Sequence, residues 1–72
     1  MSIYVVEWDN VKTERTKIKC TTKDLEEAKN VFRQQVQRLK KMCESTQRNV
    51  QINLIERKED DPTYKETLDN YW

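Results

Sequence analysis

Thr22-Lys23-Asp24-Leu25-Glu26-Glu27-Ala28-Lys29-Asn30-Val31-Phe32-Arg33-Gln34-Gln35-Val36-Gln37-Arg38-Leu39-Lys40-Lys41-Met42-Cys43 is the stretch that organises this chain. Within it Leu25, Ala28, Val31, Phe32, Val36, Leu39, Met42 and Cys43 recur at three- and four-residue steps. At about 100° per residue they cover an arc of roughly 140°, one wide apolar stripe on a helix. Thr22 or Asp24 can cap the N-terminus, and Glu26 and Glu27 complement the dipole there. Lys40 and Lys41 sit suitably near the other end. The spacing predicts a helix from residue 25 to about 44–46.

On the N-terminal side, residues 2–8 read as a strand with apolar side chains on both parities. Ile3 and Val5 share one face, and Tyr4, Val6 and Trp8 share the other. Asp9-Asn10 reads as a tight turn, because without glycine these residues best tolerate a positive φ. Residues 12–20 then alternate, placing Thr16, Ile18 and Cys20 opposite Arg15, Lys17 and Lys19. On the C-terminal side, residues 48–57 read as a third strand. Val50, Ile52 and Leu54 lie opposite Asn49, Gln51, Asn53, Ile55 and Arg57.

Glu59-Asp60-Asp61 ends that strand. Asp61-Pro62 has the form of an N-cap followed by proline at the first helical position. Tyr64, Leu68, Tyr71 and Trp72 then fall at i, i+4, i+7 and i+8, which predicts a short helix. Tyr64, Leu68 and Trp72 would also share one face of a strand, so helix, strand and disorder all stay open. The expected architecture is α+β, a two-layer sandwich of order β-β-α-β. Its antiparallel three-stranded sheet has the spatial order 2-1-3 and carries one long helix. Residues 1–58 form its body, and residues 59–72 an acidic linker and aromatic segment.

Seventy-two residues make one small domain. Such a chain buries only about 60% of the surface exposed on unfolding. Apolar residues are 35% and charged residues 38%, polar but patterned. The absence of glycine excludes phosphate loops and dinucleotide fingerprints. The absence of histidine excludes Ser-His-Asp and Cys-His chemistry and all histidine metal sites. Neither spacing nor glycine allows a calcium loop at Glu59-Asp60-Asp61. No cofactor, metal or enzymatic activity is expected.

The net charge of +1 hides an asymmetry. Residues 1–58 hold 13 Lys/Arg against 8 Asp/Glu, whereas residues 59–72 hold one lysine against five carboxylates. The N-terminus lacks a basic leader and an apolar run, and nothing approaches the ~20 apolar residues of a membrane span. A cytoplasmic protein without a membrane partner is expected. Cys20 and Cys43 bracket a helix whose ends lie roughly 30 Å apart. A disulfide needs Cα atoms within about 7 Å, so two buried, reduced thiols are expected.

Two kinds of partner fit these residues. If Tyr4, Val6 and Trp8 pack under the helix, Ile3, Val5 and Ile55 point outward, ringed by Arg15, Lys17, Lys19, Gln51 and Asn53. The opposite parity exposes Tyr4, Val6 and Trp8 instead. Either way an apolar patch is left on the helix-free face. It is covered by Tyr64, Leu68, Tyr71 and Trp72 folding back, by a second copy in a homodimer, or by a protein partner. An exposed strand edge offers a further docking mode. These residues predict a non-enzymatic protein-binding module, a small inhibitor or adaptor. By fold-level analogy it is of the kind that phage or mobile-element accessory proteins use against a host protein. The alternative is a nucleic-acid-binding module using Arg15, Lys17 and Lys19 on the sheet with Lys29, Arg33 and Lys40 on the helix. On the expected alternation the two clusters lie on opposite layers, and the acidic tail competes with a polyanion, which favours the protein partner.

Overall fold

The computed structural model describes residues 1–72 as strands β1 (Ser2–Asn10) and β2 (Arg15–Thr22), helices α1 (Leu25–Lys40) and α2 (Glu44–Asn49), and strands β3 (Val50–Lys58) and β4 (Asp61–Tyr71). Every strand pair is antiparallel, and the sheet order is β2-β1-β3-β4. The three expected strands stand in the expected order. The fourth is the correction: the C-terminal segment is neither a helix nor a fold-back over the sheet, but an edge strand beside β3. A two-residue turn, Glu59-Asp60, launches it from Lys58, which pairs with Asp61. Asp61 does cap, but it caps a turn. Its Oδ1 accepts from the Thr63 amide at 3.1 Å and the Thr63 hydroxyl at 2.7 Å. Those bonds hold its carboxyl below the usual range.

α1 lies across one face of the sheet. Asp24 is its N-cap, accepting from the amides of Glu26 and Glu27. Its stripe delivers Ala28, Phe32 and Leu39 to a core completed by Val6, Val50, Ile52 and Leu54. Tyr4, Trp8, Cys20 and Tyr71 pack against that cluster, so the even parity of β1 faces the helix. The helix stops at Lys40, short of the expected end. The amides of Lys41 and Met42 close back onto Arg38 and Leu39, and the Gln47 side chain donates to the carbonyls of Lys40 and Met42. Those bonds satisfy the carbonyls orphaned at a helix end, and the chain starts again as α2. Cys43 therefore lies exposed between the helices instead of in the core, and Cys20 is only half-buried; both are free thiols.

The register slips at three places. One, between the pairs Arg57–Lys65 and Lys58–Asp61, leaves residues 62–64 out of the ladder, and the other two decide which side chains meet. Between β1 and β2 the register slips after the pair Val6–Cys20, so that Glu7 pairs with Ile18 and Trp8 with Lys17. Lys19 is the extra residue of a bulge. Cys20 consequently faces the helix, while Ile18 turns to the open face and is 55% exposed. Between β3 and β4 the register slips between the pairs Leu54–Asp69 and Ile55–Thr67, leaving Leu68 as the extra residue. The first turn is longer than expected. β1 runs to Asn10, whose Oδ1 accepts from the amides of Lys12 and Thr13, and Glu14 takes the positive φ of 57°.

Candidate binding surfaces

Three surfaces carry the residues singled out by the sequence, and the structure does not gather them into one site. The first is the helix-free face. Ile3, Val5 and Ile55 point there, as one of the two expected parities required. Val5 and Ile55 pair directly across β1 and β3, flanked by Thr21 and Thr67. Yet Val5 is 8% and Ile55 2% exposed. With no second layer above them, the neighbouring side chains of the sheet itself must exclude the water. The patch is apolar at its centre, and the apolar area it offers a partner comes from Ile18 at its margin and part of Ile3 rather than from Val5 or Ile55. Arg15, Lys17 and Lys19 do not ring it, because the bulge carries them elsewhere.

The second surface lies between α1 and β4. Leu25, Phe32, Leu54 and Leu68 line an open cavity of about 390 Å³, together with Lys29, Arg33 and Asp69. It continues along the helix past Val36 and Gln37 on one wall, and Asn70 and Tyr71 on the other. Lys40 closes the far end, its Nζ 5.6 Å from the Tyr71 ring centroid. Leu68 and Tyr71 thus meet Lys29, Arg33 and Lys40, a juxtaposition hidden from the sequence because it needs β4 as a strand. The outer edge of β4 is unpaired in the sheet order. Tyr64 stands apart from that lining, under Lys58 at 4.6 Å. Its hydroxyl donates to Glu66 at 2.7 Å, which pushes its pKa up to about 12. Trp72 follows Tyr71 at the end of β4 and is 69% exposed.

The third surface lies on the other flank of α1, at the tip of the first hairpin. Trp8, Asn10, Thr13, Arg15 and Lys17 line an open cavity of about 410 Å³. Lys19 reaches over Trp8, its Nζ 5.5 Å from the ring centroid. The basic comb therefore lies on the helix-bearing face, not on the face away from the helix. Lys29, Arg33 and Lys40 share that layer but line the opposite flank of α1.

No three histidine, cysteine or carboxylate side chains come together as metal ligands. The one thiol with a shifted titration toward neutrality is Cys43, lowered to about 7 by hydrogen bonds from Ser45 and Thr46. It has no cavity beside it. No helix is long and apolar enough to cross a membrane. Compared with protein-family models, curated proteins and solved structures, the chain matches none.

Proposed function

We propose that this chain is a non-enzymatic protein-binding module, an inhibitor or adaptor that takes an extended segment of its partner along β4. The observation that carries the reading is the amphipathic trough between α1 and β4, bordered by a free strand edge. An added strand would form main-chain hydrogen bonds with that edge. Alternate side chains of such a strand point to one face, and here they would enter the trough over Phe32, Leu54 and Leu68. Lys29 and Arg33 on one wall and Asp69 on the other would select their polar neighbours. Pro62 and the bulge at Leu68 blunt parts of the edge, the devices by which sheets avoid indiscriminate pairing. That leaves a short, selective docking length.

The test is selection of a displayed random-peptide library on the immobilised intact chain. The reading expects enriched peptides with apolar residues at every second position, whose binding is lost in Leu68→Arg and Arg33→Glu and kept in Lys17→Glu. Absence of enrichment would contradict it. So would peptides indifferent to Leu68→Arg.

A further inference from the structure

The tip of the first hairpin has chemistry that a peptide trough does not need. Residues 8–19 and 38–49 hold eight cations against three carboxylates, although Lys40 turns to the trough over Tyr71 and Arg48 pairs with Glu44. The fold brings those two segments together. The Val11 amide donates to the Asn49 carbonyl at 2.8 Å, tying the hairpin to α2. The acidic turn Glu59-Asp60 lies at the opposite end of β1, where the Glu59 amide donates to the Met1 carbonyl. Of the chain's thirteen carboxylates only Asp9, Glu14 and Glu44 belong to these segments; Asp9 accepts from the Thr16 hydroxyl and Glu44 pairs with Arg48. The ion pairs present are Lys23–Glu59, Lys29–Glu26 and Arg48–Glu44, and none involves Arg15, Lys17 or Lys19.

We propose that this pole binds single-stranded nucleic acid, with a base stacked on Trp8 and successive phosphates on Arg15 and Lys17. The site is separate from the α1–β4 trough and does not depend on it. Arg15 and Lys17 stand at i and i+2 on one strand, roughly 7 Å apart, a spacing that suits neighbouring phosphates of an extended strand. Trp8 is half-buried against the core and so is held in place as a platform. Asn10, which also lines the groove, spends its side-chain oxygen on the turn, which leaves its amide NH₂ as an unengaged donor. Lys19 occupies the Trp8 ring in the free protein. A stacking base replaces that exposed cation–π contact and frees the ammonium for a phosphate. Duplex is excluded by the need for an unstacked base.

The test uses fluorescein-labelled oligo(dT) and oligo(rU) with the intact chain, read by anisotropy, and Trp8 emission in a Trp72→Phe background. The proposal expects binding at low salt that weakens with salt at a log–log slope of about −2, from about three phosphate contacts. Lys17→Glu and Arg15→Glu each weaken it at least about tenfold, Arg33→Glu changes it less than about twofold, and Trp8 emission is quenched. No anisotropy change at low salt overturns the proposal. So does binding without quenching, which would mark a nonspecific polyanion contact, and so does equal weakening by Arg33→Glu.

Discussion

Gln35 sits in the middle of the buried stripe of α1, about 20° from Ala28 in helical projection, and its Oε1 is buried without a hydrogen-bond partner. An unsatisfied buried acceptor costs about 1–3 kcal/mol, and a shape-matched apolar replacement removes that cost. Gln35→Met is therefore expected to stabilise the chain by about 1 kcal/mol in urea unfolding; a destabilised variant would show that Gln35 has a partner after all. The two thiols diverge. Hydrogen bonds from Ser45 and Thr46 lower Cys43 from 9.0 to about 7, while burial and the nearby Glu27 raise Cys20. Because the folded value for Cys43 is lower, its linked stabilisation is present above pH 9.0 and is lost as pH falls through about 7. Alkylation of Cys43 should reach half its maximal rate near pH 7, with Cys20 reacting more slowly. In the double variant Ser45→Ala, Thr46→Val the midpoint should move up. An unmoved midpoint would count against those hydrogen bonds.

At the scale of elements, α1 was legible because its stripe, its Asp24 cap and its first-turn carboxylates all agree. The helix end was not. Met42 and Cys43 continue the apolar period, and only Gln47, turning back to the carbonyls of Lys40 and Met42, shows where it stops. β1 and β3 were legible from their β-branched runs. The facing of β2 was not, since a bulge at Lys19 reverses a parity that strict alternation assigns with apparent clarity. β4 stayed open between helix, strand and disorder for a related reason. Its apolar residues fit both periods, Asp61-Pro62 imitates a helix start, and the bulge at Leu68 breaks the strand pattern. Consequently the trough was unreadable, although most of its residues had been singled out. Leu39→Ala should cost about 2–5 kcal/mol, as large-to-small changes do at a fully buried site. Removing residues 61–72 strips the pairing from β3 and uncovers Leu54, so a cooperative unfolding transition should be lost. A truncated chain melting like the intact one would contradict the strand.

For the whole molecule, only nine of 72 residues are buried, so the core is thin and each edge matters. Val5 and Ile55 are already shielded, so Ile18 and part of Ile3 are the apolar area left on the helix-free face, too small and scattered to hold two copies together. Light scattering is expected to give the 8.8 kDa monomer at micromolar concentration; a dimer mass would place a second copy on that face. Charge is sorted along the strand direction, basic at the first hairpin and acidic at the second. Association with polyanions should therefore depend steeply on salt despite a net charge near zero.

Both the trough and its free edge exist only if residues 61–71 are a strand paired on one side. Amide hydrogen exchange read residue by residue tests this most directly. The expected result is protection at alternate amides of residues 65–71, those directed at β3, with the alternation changing phase at the Leu68 bulge and the intervening amides exchanging at nearly unprotected rates. Uniformly fast exchange over 61–71, or continuous protection of the kind a helix gives, would contradict it.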